Sequence, residues 1–316
     1  MIKLCHAIQC ITLLLLSSTA SLLIAENTNV PENYDETTRV GMAIGTNYIA
    51  LGNSDLRNGE LEAAIKSFSS VIQFDKSNIL AYEGRATAYF RNGDMQRAIS
   101  DYSHVIAIDP TNANAFLNRG NLYRYEREFD KAINDLSECI RLDSKNSMAY
   151  NSRASTYNRK GEFSKAIIDC SKSLDLNPTN DQVLVMRGCY YSQVGLFTNA
   201  LIDFNEAIGI NSNNADAYNG LAWLYATCAN ASIRNGKGAI IAAAKACKLT
   251  AWQKWEYIDT FAAALAESGN FKSAVRYEKQ AMSTSSVPND SFKVMQQHLD
   301  LYEKLQPLHE ANAEIR

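Results

Sequence analysis

The sequence predicts an all-α fold in which one helix pair is repeated along the chain. Alanine recurs with a spacing of 34 residues at Ala64, Ala98, Ala132, Ala166 and Ala200. Each 34-residue unit holds two stretches of helix length whose apolar residues follow a period of about 3.6, separated by a turn-forming segment. Because one helix pair cannot bury its apolar face alone, we expect the units to stack around a continuous core.

The first 25 residues are predicted to lie outside this fold. Residues 1–25 begin with the charged Lys3 and continue into an apolar run that ends in small residues. This pattern is typical of a secretory signal peptide, with cleavage after Ala20 or Ala25. The alternative is an uncleaved N-terminal anchor, since the run approaches the roughly 20 residues that a spanning helix needs. Both predict an exported protein, located in the periplasm or cell envelope or secreted, and held at the membrane if the segment stays in place.

The remaining chain divides into a spacer, seven repeats, a capping helix and a tail. Residues 26–44 are predicted as a polar spacer and the start of the first helix. The predicted repeats occupy residues 45–78, 79–112, 113–146, 147–180, 181–214, 215–254 and 255–288. The sixth repeat is longer because a loop from Thr227 to Gly238 interrupts it. An apolar stripe predicts a capping helix over residues 289–305, followed by a tail over 306–316.

The order of small and aromatic residues in each unit resembles that of the tetratricopeptide repeat family. The second repeat shows the pattern most fully, with Tyr82, Arg85, Ala86, Tyr89, Ala98, Tyr102 and Pro110. The resemblance covers roughly residues 45–305. It implies a right-handed α-solenoid of stacked antiparallel helix pairs, whose inner groove is lined by the first helix of each pair and binds a protein or an extended peptide.

Groove positions carried over from this family are mostly polar and rich in amides. The candidate groove residues are Asn53, Arg57, Thr87, Phe90, Arg91, Asn121, Arg124, Tyr125, Asn151, Ser155, Asn158, Arg159, Gln193 and Trp223. Asparagine side chains can hold an extended peptide by its backbone, and arginine can bind a carboxylate with two hydrogen bonds. The same residues are equally compatible with a solvated face that contacts no ligand.

Two charged columns predict ion pairs within the repeats. Repeats two to five carry arginine at one position and aspartate sixteen residues later, whereas repeats one and seven lack both. The predicted structural pairs are Arg85 with Asp101, Arg119 with Asp135, Arg153 with Asp169, and Arg187 with Asp203. We expect partial burial and a small net stabilisation, because desolvation offsets attraction.

Composition and motifs argue against other classes of function. The net charge of −3 argues against an electrostatic nucleic-acid binder. The four histidines show no metal-ligand spacing and are expected at the surface, and no phosphate-binding loop is present. The sequence therefore predicts no metal, no cofactor and no catalytic residues.

Cysteine and tryptophan residues near the irregular loop allow alternative interpretations. Cys228 and Cys247 flank the loop and are the best candidates for a disulfide in an exported protein, the alternative being buried free thiols. Trp252 and Trp255 are three residues apart and would share a face if they lay on one helix. They are expected to pack between repeats six and seven or to form an exposed docking site.

The sequence as a whole predicts a non-catalytic protein- or peptide-binding scaffold that uses the concave groove. The alternative is a structural homo-oligomer assembled through the ends of the repeat array or through the Trp252 and Trp255 region. An enzyme with an unrecognised site is the third hypothesis.

Overall fold

A computed structural model describes residues 36–284 and 287–309, and in these ranges the chain is all-helical. The predicted signal segment, most of the spacer and most of the tail lie outside the described residues. Fifteen helices and no strands are found in the described part. They are α1 Glu36–Asn58, α2 Leu61–Phe74, α3 Ile79–Arg91, α4 Met95–Ile108, α5 Ala113–Tyr125, α6 Phe129–Leu142, α7 Ser147–Arg159, α8 Phe163–Leu176, α9 Asp181–Gln193, α10 Phe197–Ile210, α11 Ala215–Thr227, α12 Gly236–Leu249, α13 Trp255–Glu267, α14 Phe271–Met282 and α15 Asn289–Glu303.

The helices form two compact units, which meet in sequence between Ser144 and Lys145. In the first unit, α1–α2, α3–α4 and α5–α6 are contacting pairs, and each second helix also contacts the first helix of the next pair. In the second unit the same arrangement joins the pairs α7–α8, α9–α10, α11–α12 and α13–α14, and α15 packs against α14 and α13. Each unit is therefore a stack of helix pairs, as in an α-solenoid.

Asparagine residues define the start of the first helix in five consecutive repeats. Each one precedes the helix, and its side chain accepts a hydrogen bond from the backbone N–H three residues later, which satisfies a donor that the helix leaves free. These residues are Asn78, Asn112, Asn146, Asn180 and Asn214. The helix starts therefore recur with the 34-residue period.

A residue with positive φ terminates most of the turns inside the helix pairs. Gly93 has a φ of 84°, a left-handed conformation that glycine adopts without a Cβ clash. The third repeat has Arg127 at this place, with a φ of 62°. The tight reversal is therefore kept where glycine is absent.

The core consists of small residues facing large ones across each helix pair. Alanines such as Ala98 and Ala166 are fully buried, which allows the two helix axes to approach closely. Phe68 in the first unit and Phe204 in the second are buried against glycines of two neighbouring helices. This packing leaves the exposed faces of α1, α3 and α5 available to line a groove in the first unit.

Helix α1 begins at Glu36, inside the segment predicted as polar spacer and start of the first helix. Two details near the irregular loop differ from the sequence predictions. Helix α12 begins at Gly236 rather than after Gly238, because Asn235 caps it by accepting a hydrogen bond from the Gly238 N–H. Trp252 lies in the turn before α13 with a φ of 59°, so it shares no helix with Trp255.

Candidate functional site

An open cleft of about 400 Å³ lies on the first unit between α1, α3 and α5. Its lining residues are Ile49, Asn53, Leu56, Leu80, Glu83, Gly84, Thr87, Tyr102, Asn114 and Asn118. Two of the predicted groove residues, Asn53 and Thr87, are among them. The cleft therefore combines three amide side chains and one carboxylate with an apolar wall.

Two polar side chains of the cleft make hydrogen bonds to other groups of the first unit. The Glu83 carboxylate accepts a hydrogen bond from Asn112 Nδ2 at 3.2 Å. The Thr87 hydroxyl donates to the Glu83 carbonyl oxygen at 2.9 Å, as is common for threonine inside a helix. The side chains of Asn53 and Asn114 are exposed, so their donors and acceptors are accessible to a ligand.

An exposed aromatic pair extends the candidate surface beyond the cleft. The ring centroids of Phe90 and Tyr125 are 5.8 Å apart, and the two side chains are 38% and 52% exposed, respectively. The Arg124 guanidinium lies 4.8 Å from the centroid of the Tyr125 ring. Such rings offer large contact area with little loss of side-chain entropy.

Two further predicted groove residues carry buried polar atoms that make no hydrogen bond within the described chain. These atoms are Asn121 Oδ1 and Arg124 Nε. In contrast, Arg91 donates to the backbone carbonyl of Leu56 and so satisfies the end of α1. Arg57 is exposed.

The predicted groove residues of the second unit differ from one another in how exposed they are. Asn151 Oδ1 is a buried acceptor without a hydrogen-bond donor in the described residues, and Ser155 and Asn158 are half-buried. Arg159 and Gln193 are exposed. Trp223 is half-buried, with its ring centroid 6.1 Å from that of His298 on α15. Because the capping helix contacts this indole, Trp223 is less accessible than a free groove residue would be.

The four arginines of the charged columns pair with the aspartates of their own repeats. In each pair Nε and Nη2 of arginine donate to the two carboxylate oxygens, at distances of 2.7–2.9 Å. The aspartates are buried, and the hydrogen bonds raise the pKa of each guanidinium above its ordinary value. The pairs are Arg85–Asp101, Arg119–Asp135, Arg153–Asp169 and Arg187–Asp203.

Arg85, Arg119 and Arg187 also contact a serine of the preceding repeat. Arg85 Nη1 donates to Ser69 Oγ at 3.0 Å, and Arg119 Nη1 donates to Ser103 Oγ at 3.0 Å. In the second unit, Arg187 Nη1 donates to Ser171 Oγ at 3.1 Å. The arginines thus connect successive repeats and belong to the architecture rather than to a binding site.

A buried polar cluster in the second unit was missed by the sequence predictions. Asp259 of α13, Glu278 of α14 and His298 of α15 bring their side-chain ligand atoms within 4.8 Å of one another. His298 is buried, so the expectation of a surface histidine is wrong for this residue. The three residues are separated by 19 and 20 positions and lie on different helices, so no local spacing could have indicated the cluster.

Comparisons with known proteins place these repeats in a family. A family profile described as "TPR repeat" matches residues 52–93 and 87–124, and profiles described as "Tetratricopeptide repeat" match residues 117–181 and 181–214. Together they cover about half of the chain. This chain belongs to the tetratricopeptide repeat family.

Solved structures of tetratricopeptide repeat proteins share the fold. A tetratricopeptide repeat protein from Parabacteroides merdae is 19% identical, with a TM-score of 0.58, and the match covers 82% of this chain and 99% of that chain. A structure of MamA protein is 24% identical, with a TM-score of 0.51 and coverage of 54% and 94%, respectively. No curated protein matches the sequence.

Membership of the tetratricopeptide repeat family supports a protein-interaction scaffold with protein or peptide partners. Proteins of this family are generally non-catalytic. Among the described residues, no helix has both the length and the apolar character needed to cross a bilayer.

The cysteines of this tetratricopeptide repeat protein do not form the disulfide considered from the sequence. Cys228 and Cys247 are both buried, and no disulfide joins them. Cys247 Sγ contacts the carbonyl oxygen of Tyr257 at 3.2 Å, and burial raises the pKa of this thiol to about 12. The protonated thiol therefore acts as a small core residue.

Trp252 packs in the interface between the sixth and seventh repeats, as one of the two alternatives predicted. Its ring centroid is 5.3 Å from that of Phe261 and 5.7 Å from that of Tyr277. The structural basis differs from the prediction, because Trp252 reaches this cluster from a turn and not from a helix shared with Trp255.

Proposed function

We propose that this protein is a non-catalytic scaffold that holds an extended segment of a partner protein on the concave face of its first unit. The cleft between α1, α3 and α5 is the observation that carries this proposal. It is open and lined by amides, and it continues on the same first helices towards the Phe90–Tyr125 pair.

The chemistry of the cleft suits a peptide backbone. The side chains of Asn53, Asn114 and Asn118 each provide donors and an acceptor, which complement the N–H and C=O groups of an extended chain. Leu80 is 62% exposed at the rim and offers an apolar contact for a partner side chain. Burial of such a side chain would supply affinity, while the amides would fix the direction of the peptide.

The aromatic pair and its arginine extend this recognition. Phe90 and Tyr125 are the exposed aromatic residues of the candidate surface, and aromatic residues are enriched among energetically dominant interface positions. Arg124 stacks on Tyr125 and keeps donors available for a carboxylate. The partner segment is therefore expected to carry an apolar residue and an acidic group.

The binding surface can be tested by selecting short linear peptides from a displayed library on the purified chain. Selected peptides would be measured by fluorescence anisotropy against a Phe90→Ala/Tyr125→Ala variant and an Asn53→Ala/Asn118→Ala variant. We expect both variants to weaken binding by at least about tenfold, since interface hot spots contribute more than about 1.4 kcal/mol each.

A matched control replaces two exposed apolar residues of the same unit that lie at the ends of second helices, Phe74→Ala and Ile108→Ala. This control should bind the peptides as the wild type does. Peptides that bind the groove variants and the wild type equally would exclude the groove as the site. Concentration-dependent self-association without any peptide would instead favour the structural homo-oligomer.

The proposed compartment is the cell envelope or the secreted space. The composition of residues 1–25 supports export, as argued above. The mass of the mature chain recovered from its host tests this: loss of residues 1–20 or 1–25 supports cleavage and export. An intact N-terminus in an envelope fraction supports an anchor, and an intact N-terminus in the cytoplasm excludes export.

A further inference from the structure

Three ionisable side chains from three helices converge inside the second unit. The distance from His298 Nδ1 to Asp259 Oδ1 is 3.0 Å, and the distance to Glu278 Oε1 is 3.9 Å. Glu278 is 0% exposed, and the other two residues are also buried. A charged group is rarely buried without a partner that balances it, so this cluster requires a physical explanation.

The cluster also contains polar atoms that the described chain leaves without hydrogen bonds. Both carboxylate oxygens of Glu278 lack a donor, and the Tyr302 hydroxyl is fully buried without a partner. Tyr302 belongs to the same cluster, since its ring centroid lies 6.5 Å from that of His298. Each such group costs about 1–3 kcal/mol when nothing compensates it.

We propose that Asp259, Glu278 and His298 form a binding site for a divalent transition-metal cation such as Zn²⁺. The ligands would be His298 Nδ1 and one oxygen from each carboxylate. One imidazole and two carboxylates form a borderline donor set that suits Zn²⁺, Mn²⁺ or Co²⁺ better than Mg²⁺ or Ca²⁺, which prefer oxygen ligands alone.

The spacing of the ligand atoms fits such a cation. Zinc–nitrogen and zinc–oxygen bonds are about 2.0–2.2 Å long, so two ligand atoms in tetrahedral coordination lie about 3.3–3.6 Å apart. The distances of 3.0 and 3.9 Å from His298 Nδ1 fall on either side of this range. The two distances are therefore compatible with ligands that share one cation.

Charge balance also favours a divalent cation in this cluster. Two ionised carboxylates in a buried site repel each other, and a divalent cation neutralises both.

The site would connect the last helix pair to the capping helix. Its ligands come from α13, α14 and α15, so one bound cation would join all three. A ligand that binds only the folded state stabilises it by mass action. Metal binding should therefore stabilise the docking of α15.

The decisive experiment is isothermal titration calorimetry of the full chain after treatment with a chelator. Zn²⁺ and Co²⁺ should bind with a stoichiometry of one. Mg²⁺ and Ca²⁺ should bind at least about tenfold more weakly. The Co²⁺ complex should show visible absorption without a thiolate charge-transfer band, which distinguishes this site from the cysteines.

Two variants remove a ligand with little change of shape, Glu278→Gln and Asp259→Asn. Loss of an outer-shell partner alone weakens metal binding by about 10–100-fold, so loss of a ligand should have at least that effect. Circular dichroism would identify a variant that fails to fold, and the other variant then carries the test.

The matched control is His309→Asn, because His309 Nε2 contacts Glu267 Oε2 at 2.7 Å at an exposed site of the same unit. Its metal affinity should equal that of the wild type. Absence of Zn²⁺ and Co²⁺ binding, or affinity unchanged in both cluster variants, would overturn the proposal. A Co²⁺–thiolate spectrum would do so too. The cluster would then be a carboxyl pair that shares one proton.

Discussion

Phe204 packs against two glycines of the second unit, and this contact allows a quantitative test of the repeat packing. The phenylalanine is 1% exposed on α10 and lies between Gly188 of α9 and Gly220 of α11. A Cβ atom added at Gly220 would lie 2.5 Å from Phe204 Cε1 and 2.6 Å from Cζ. Because the ring is enclosed, it cannot move away without displacing its neighbours.

The expected cost of Gly220→Ala follows from two opposing effects. Overpacking a filled core destabilises a protein by about 1–3 kcal/mol. Replacing glycine by alanine inside a helix stabilises it by about 0.8–1 kcal/mol. Gly209 on α10 provides the matched control, since a Cβ added there meets no atom within 4 Å. The difference in the free energy of unfolding between the two alanine variants should therefore be about 1–3 kcal/mol.

Urea unfolding followed by tryptophan fluorescence provides the measurement. All three tryptophans of the chain, Trp223, Trp252 and Trp255, lie in the second unit and report its unfolding. Combining Gly220→Ala with Phe204→Leu should recover part of the loss, because the smaller side chain makes room for the new methyl group. If Gly220→Ala stabilises the protein as much as Gly209→Ala does, the packing argument is wrong.

Three other predictions address the charged and sulfur-containing groups of the second unit. Arg187→Ala should destabilise the second unit by about 1–3 kcal/mol in the same unfolding assay, because Asp203 would remain buried without its donors. An effect near zero would show that the pair is dispensable. The pKa of Glu278 is higher in the folded state than its ordinary value of 4.5, so the folded state holds a proton that the unfolded state releases. Stability of the metal-free protein should therefore fall as the pH rises above about 4.5, and Glu278→Gln should reduce this dependence in urea titrations at several pH values. Burial raises the pKa of Cys170 and of Cys247 to about 12, so both thiols should resist a thiol reagent near pH 8 in the folded protein and react in urea; rapid labelling of either in the native state would contradict their burial.

The helix pairs and the ion pairs within them could be predicted because the residues that specify them recur in each repeat. Arginine and aspartate recur every 34 residues, as at Arg119 and Asp135. Four repeats therefore support the inference that the two residues form an ion pair. The pairing of repeat-matched charges follows from the sequence because both members are present or absent together. The turn at Arg127 carries no such signal, since its φ is positive at a place where other repeats have glycine.

The buried cluster and the boundaries of the irregular repeat could not be predicted for the opposite reason. His298 occurs once, on a capping helix that has no counterpart in the repeats, so no column shows its partners. The sequence does not show whether Trp252 lies in a helix, and the structure places it in a left-handed turn between α12 and α13. The buried cluster and this turn each occur once and depend on tertiary contacts that no other repeat makes.

The hydrogen bonds from arginine to the serine of the preceding repeat affect how the array melts. Arg85 holds its own Asp101 and also Ser69, so unfolding of either repeat removes a partner from the other. In a linear array, such nearest-neighbour coupling favours the loss of adjacent repeats together over the fraying of one repeat at a time. Amide hydrogen exchange within each unit should then report cooperative blocks longer than one 34-residue repeat.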